Sequence, residues 1–330
     1  MTQLTHQTTN LAFAEIEITS ISAFTAVFIN KMKSGKVLTD KGEIYKDSSI
    51  RQYKMFLDHL VEFETKHGKQ FEFQEISYQF GKEFQIYLTE QNLTLNSISN
   101  ILKKFKAIMA MAFRTGIAFW NGSGLKTPTE ITTEVALSIT EIRKMRSAPL
   151  SDSEAQILDV FIIQCFTGLR YDVLCKFLQN PFNYIQEHEE KNYIDIISDK
   201  TKEQSVIPLG DTVLKIIMDR EGKFKIFSEE HTNRTIKIIA KKAELDKEIV
   251  NRRTVSGKTV ETFVPKWKKI KSHTARRTFA TLLSKTQIPN NQITAMTGHT
   301  TEKQLKIYMR SGKIDLIIPA LGNDFFSTEL

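Results

Sequence analysis

Long apolar runs are missing from this chain. None approaches the roughly 18 residues that a membrane-spanning helix requires. The opening stretch, MTQLTHQTTN, also lacks the charged and apolar regions of a signal peptide. Cysteine is nearly absent, and the two that occur, Cys165 and Cys175, both fall in strongly apolar segments. They read as buried thiols of a reducing compartment rather than a disulfide framework or a zinc site. The expected location is the cytoplasm. No constellation of carboxylates stands out that could hold Mg²⁺ for a metal-dependent nuclease or transposase. The segment SGKT at 256–259 resembles the end of a phosphate-binding loop, but the glycine required five residues before Gly257 is absent, and Arg252 stands there.

What is present is a chain of 330 residues, 41% hydrophobic and 25% charged, ordinary for a globular protein and long enough for two domains. The formal charge of +8 favours a polyanionic partner. Nucleic acid ranks ahead of a membrane surface, because no basic amphipathic helix lies beside an apolar anchor.

Residues 1–19 form a polar, then weakly amphipathic tail. Helical spacing begins with Ile21, Phe24, Val27 and Phe28. It resumes with Ile50, Tyr53, Phe56, Leu57, Leu60, Val61 and Phe63, behind a cap signal at Ser48/Ser49 and ending before Gly68. Phe80, Phe84, Tyr87 and Leu88 mark a further helix. Asn96 opens another, with Ile98, Ile101, Leu102, Phe105, Ile108, Met109 and Ala112 on its apolar face. Lys103, Lys104, Lys106 and Arg114 decorate this helix. Alone they read as a solvated face; in a small basic helical domain the same face can track phosphates. The segment NGSGLKTPTE (121–130) is the clearest linker.

Beyond it, a short helix is expected around Thr140-Glu141-Ile142. Ser151-Asp152-Ser153 then leads into ILDVFIIQCF, apolar nearly all round and therefore a central buried helix. Thr167-Gly168 is its C-cap signal, so Arg170 enters at the tip of a buried helix and needs an anionic partner. YIDII (193–197) and SVIPL (205–209) predict a β-hairpin carrying Lys200 and Lys202 near its turn. Residues 211–245 read as helical again, and 246–265 as a loop or second hairpin. A basic run around Trp267, including Lys268 and Lys271, precedes a helix for which Ser272 is the expected cap. His273 and Arg276, three apart, share a face of its first turn, and a helix N-terminus favours an anion. His299 and Tyr308 are nine residues apart and would face opposite sides of one continuous helix. Thr301 and Gln304 form a capping-box pattern, so the helix is expected to start after His299, leaving the histidine in a loop behind Gly298.

An arginine in a TGLR turn, a hairpin lysine, HxxR, GH and a tyrosine nine residues after that histidine all occur here in order. This set resembles the tyrosine recombinase, or phage integrase, family, particularly integrases of mobile elements in Bacteroides-type bacteria, over roughly residues 20–315. The resemblance implies a mainly α fold with small β-hairpins. It implies a tail (1–19), a helical SAM-like core-binding domain (20–120), a linker (121–137), a catalytic domain (138–315) and a C-terminal tail (316–330). Tyr308 would attack the scissile phosphate, Arg170 and Arg276 would hold its nonbridging oxygens, and Lys200 would protonate the leaving 5′ oxygen. His273 would be the general acid/base for the tyrosine proton, and His299 would hydrogen-bond the phosphate. Lys103, Lys104, Lys106, Arg114, Lys202, Lys268 and Lys271 would contact DNA. Neither ATP nor a metal cofactor is required. The implied partner is double-stranded DNA, bound by a monomer that assembles into a tetramer, with accessory DNA-bending proteins as further candidates.

Two departures stand out. Family members commonly carry an acid three positions after the first arginine; here that position is Val173, with Asp172 one residue earlier. Arg277 stands where many relatives have histidine or lysine. The segment before residue 20 is short for an arm-site-binding domain. The apolar stretch from Ile314 through Phe326 is expected to dock either on a neighbouring protomer or on its own domain. The competing readings are a catalytically inactive DNA-binding regulator of the same fold and a type IB topoisomerase-like relaxing enzyme, the latter less suited to the domain layout.

Overall fold

A computed structural model describes residues 20–286 and 288–298. The described residues form a mainly helical protein with small antiparallel sheets, as the sequence predicts. No described helix is long and apolar enough to cross a membrane. The chain divides into two compact units.

The first unit comprises the described residues up to Thr132 together with Asn251–Thr262. It contains α1 (Ile21–Lys33), α2 (Asp47–His67), α3 (Tyr78–Glu90) and α4 (Leu95–Arg114). Its core is aromatic. Phe24, Phe28, Phe56, Phe73, Phe84 and Phe105 are fully buried, and Phe63 meets Phe80 and Phe84 edge-on, with ring centroids 5.6 and 5.4 Å away. All seven residues of the apolar stripe read on α4 are buried.

Two helix starts differ from the sequence reading. α2 begins at Asp47, where a carboxylate in the first turn complements the helix dipole, and no side chain caps it. α4 is capped by Thr94, whose hydroxyl accepts from Ser97 N at 3.2 Å. Asn96 is instead engaged with the linker: its amide donates to Glu130 O (3.0 Å), and its carbonyl accepts from Glu130 N (3.1 Å). Part of the glycine-rich linker also packs on α4. Leu125 is buried, its carbonyl accepts from Lys106 Nζ at 2.8 Å, and Gly122, at φ 80°, lies so close that a Cβ would stand 3.3 Å from Lys106 Cα.

The second unit contains α5 (Ile139–Ser147), α6 (Asp152–Thr167), α7 (Tyr171–Gln179), β1 (Ile185–His188), β2 (Lys191–Ile197), β3 (Gln204–Pro208), α8 (Asp211–Asp219), α9 (Glu229–Lys242), α10 (Ser272–Leu283) and α11 (Asn290–Thr297). α6 is the central buried helix. Ser151 and Glu154 form its capping box, and Gly168, left-handed at φ 64°, ends it. α10 packs along α6, and the crossing is so close that a Cβ on Gly168 would come within 2.3 Å of Phe279 Cδ1.

β2 and β3 form the expected hairpin, extended by β1 into a sheet of order β1-β2-β3. The run 211–245 is two helices, because Glu221 and Gly222 both take positive φ and turn the chain. Residues 246–265 fold as a hairpin of β4 (Glu248–Val255) and β5 (Lys258–Pro265), with Ser256 and Gly257 at positive φ in its turn. The SGKT segment is thus a hairpin tip. Cys165 is buried, Cys175 is half-buried, and both are free thiols.

Candidate active site

The TGLR turn and the HxxR helix are held together by a buried polar chain. Gln164, within the apolar run of α6, donates through Nε2 to Leu169 O at 2.9 Å and accepts from Ser272 Oγ at 3.2 Å. Ser272 N donates to Asn233 Oδ1 at 2.5 Å. Ser272 therefore lies in the first turn, and its hydroxyl is spent on a tertiary bond. Lys271 holds the cap position, with its backbone N–H donating to Thr274 Oγ1 at 3.1 Å.

Arg276 is almost fully buried, at 2% exposure. Its Nη1 donates to Gly168 O at 2.7 Å and its Nη2 to Thr297 O at 2.5 Å. Both acceptors lie at helix C-termini, where the dipole is negative, so the guanidinium is stabilised by two helix ends. Arg170 sits at the N-cap position of α7 with extended backbone. Its Nη2 donates to Gly298 O at 3.1 Å, and the same nitrogen lies 3.2 Å from Glu203 Oε2. Thus both arginines converge on the C-terminus of α11, through consecutive carbonyls.

His273 is half-buried on the first turn of α10. Burial, then the charges of Arg277, Arg276 and Lys271, lower its pKa to about 4, while Glu134 pulls the other way. The ring is therefore neutral at pH 7 and able to accept a proton. Glu134 faces Lys271 Nζ at 3.2 Å and Arg277 Nε at 3.9 Å, a carboxylate set against a cluster of cations.

Lys200 is exposed in the turn between β2 and β3, and Lys202 is exposed beside it at φ 57°. Lys176 donates to Ile197 O (3.2 Å) and Asp199 (2.8 Å), which anchors the near end of that turn. Val173 is buried and apolar, and Asp172 is exposed on the first turn of α7. On α4, Lys103 is exposed, Lys104 Nζ lies 4.8 Å from the Tyr53 ring centroid, and Lys106 is tied to Leu125. Burial, with Lys103 nearby, lowers the Lys104 pKa. Arg114 is 3.9 Å from Asp40, and Lys268 stands over the Trp267 ring. His299 and Tyr308, and the apolar stretch after Lys313, lie outside the described residues.

The sequence reading missed Glu203, Glu134 and Gln164. Only Gln164 left a signal, as the amide within the apolar run ILDVFIIQCF.

Residues 20–122 match the family model for the phage integrase SAM-like domain, and residues 131–313 match that for the phage integrase family. No curated protein matches the chain. Among solved structures, the XerH site-specific recombinase in its post-cleavage complex with a palindromic difH substrate is similar, with 13% identity and a TM-score of 0.67 over 94% of this chain and 98% of that one. The Tn1549 transposon integrase bound to a circular intermediate DNA has 16% identity and a TM-score of 0.61, over 92% and 99%. A lambda integrase dimer bound to a COC′ core site has 14% identity and a TM-score of 0.60, over 87% and 94%.

Proposed function

This chain belongs to the phage integrase family, and from that membership we propose that it is a site-specific DNA recombinase that cleaves and rejoins strands through a 3′-phosphotyrosine. The observation that carries this reading is the convergence of the Arg170 and Arg276 guanidiniums on one helix end beside a neutral histidine. Two fixed guanidiniums suit the nonbridging oxygens of one phosphodiester, because their remaining N–H groups can donate to those oxygens and neither can lose its charge.

In the reaction, Tyr308 Oη bonds to phosphorus as the bond from phosphorus to the 5′ oxygen breaks. His273 takes the tyrosine proton, which its depressed pKa leaves room to do. As the phosphate binds beside it, its negative charge makes the imidazole a stronger base. Lys200 delivers a proton to the departing 5′ oxygen, and His299 donates a hydrogen bond to the phosphate. Arg170 and Arg276 stabilise the charge that builds on phosphorus-bound oxygens. Rejoining runs the same steps backwards with a different 5′-hydroxyl.

Double-stranded DNA is the substrate on this reading, supported by the similar XerH bound to a difH substrate, the Tn1549 integrase bound to a circular intermediate DNA and the lambda integrase bound to a COC′ core site. Assembly into a tetramer on DNA, with the segment after Lys313 docking on a neighbour, extends the same reading. So does a layout of core-binding domain (20–120), linker (121–137) and catalytic domain (138–315). The deciding experiment uses a nicked suicide substrate drawn from the DNA flanking the gene. The protein is expected to form a covalent adduct that resists denaturation, and Tyr308→Phe to form none. An adduct of equal yield with Tyr308→Phe would overturn the assignment of the nucleophile.

A further inference from the structure

The family's usual acid is missing three residues after Arg170, where Val173 is buried in the core, and Asp172 is turned to solvent. A carboxylate does reach Arg170, but from another element. Glu203 lies just before β3, on the inward side of the strand: it shares alternation with the buried Ser205 and Ile207, while Lys202, Gln204 and Val206 face outward. Its backbone is fixed by Ser198 N, which donates to Glu203 O at 2.9 Å and closes the hairpin.

The side chain stands 3.2 Å from Arg170 Nη2, and the two side chains are only 25% and 29% exposed. Oε2 itself is buried and makes no hydrogen bond of good geometry among the described residues, so charge alone holds it to the guanidinium. Gly298 completes the cluster. A Cβ at this left-handed residue would come 3.0 Å from Ser205 Oγ and 3.7 Å from both Arg170 Nη1 and Glu203 Oε2.

We propose that Glu203 is the positioning carboxylate of Arg170: it replaces from the β2–β3 hairpin the acid that relatives carry on the arginine's own helix. This rests on the recombinase reading above and goes beyond it. Glu203 and the Gly298 carbonyl hold one edge of the fork, at Nη2. No partner engages Nε or Nη1 among the described residues, which leaves those single donors for the phosphate. Lys200 lies three residues before Glu203 in the same turn. The proposed carboxylate thus ties the lysine-bearing turn to the arginine by one contact, and sets the leaving-group acid and the oxyanion clamp in a common frame.

The two effects of this carboxylate oppose each other. Its negative charge weakens the attraction of the site for phosphate, while its grip removes rotational freedom that Arg170 would lose on reaching the transition state. Substitution separates them. In Glu203→Gln, adduct formation on the suicide substrate is expected to slow by about 10- to 100-fold, with DNA affinity unchanged or tighter. Glu203→Asp, which keeps the charge, is expected to recover part of the rate.

Wild-type cleavage by Glu203→Gln would overturn the proposal. So would equal losses of cleavage and binding with a lowered melting temperature, which would mark a merely structural residue. A readout independent of DNA is the nitrogen-15 guanidinium signal of Arg170, assigned with Arg170→Lys. Restricted rotation is expected in the wild type and free averaging in Glu203→Gln. Free averaging in both would overturn the proposal even if the wild type formed no adduct, whereas a missing wild-type adduct with restricted rotation would count against the recombinase reading alone.

Discussion

Arg276 and Arg170 carry the same charge in different surroundings, and substitution should distinguish them. Arg276→Ala removes a buried cation and strands the Gly168 and Thr297 carbonyls. A loss of about 2–4 kcal/mol of stability is expected beside loss of cleavage, measurable by urea denaturation. Arg170→Ala, at a site 29% exposed, should abolish cleavage with a smaller drop in the denaturation midpoint, from the Glu203 carboxylate left without its cation, and DNA binding should largely survive because it is spread over many phosphates. His273 supplies a pH prediction. Its pKa of about 4 places the acid limb of the cleavage rate per free enzyme near that value. Arg277→Gln removes a cation that opposes protonation, so the limb should move to higher pH. The unfolded chain takes up this proton near the usual histidine value, so stability declines as pH falls from about 6.5 towards 4 and levels off below. Arg276, His273 and Arg170 were legible because their spacing is short and local. Glu203 and Glu134 were not, because Glu203 meets Arg170 and Glu134 meets Lys271 only through tertiary folding.

At the scale of elements, α4 was legible because burial of its one apolar face fixes the period, and α6 because its long apolar run lies between a cap signal and Gly168. β1 was not. Its sequence, IQEH, alternates nothing, and three of its four residues are exposed, so pairing with β2 alone makes it a strand. The starts of α2 and α4 were misplaced because several polar residues compete for each cap, and tertiary bonds decide among them; Asn96 is lost to Glu130 in this way. The Gly168 crossing is a sharp test of the α6–α10 packing. Gly168→Ala combines a left-handed backbone with a Cβ driven into the Phe279 ring. A destabilisation of about 2–5 kcal/mol is expected, from about 1–2 for the backbone and 1–3 for overpacking, and urea titration would measure it.

For the whole molecule, the discontinuity of the first unit has a measurable result. Its residues after the linker, Asn251–Thr262, arrive from between the two parts of the second. Within that unit Thr254 N donates to Glu130 Oε2 at 2.7 Å, and Thr94 bridges Val255. A single cut engineered at 126–132 should therefore leave two fragments that co-elute in native gel filtration and separate only in denaturant. Elution apart would show that those bonds do not hold. The net charge of +8 sets a second whole-molecule expectation, a steep loss of DNA affinity with salt. If the exposed Lys103 contacts a phosphate, Lys103→Ala should reduce the slope of log affinity against log salt by about one.

The carbonyls of Thr297 and Gly298 are adjacent in the chain, and each accepts from a different arginine. Fraying of the end of α11 would therefore loosen both guanidiniums at once, leaving Arg276 on the Gly168 carbonyl and Arg170 on Glu203 as their remaining anchors.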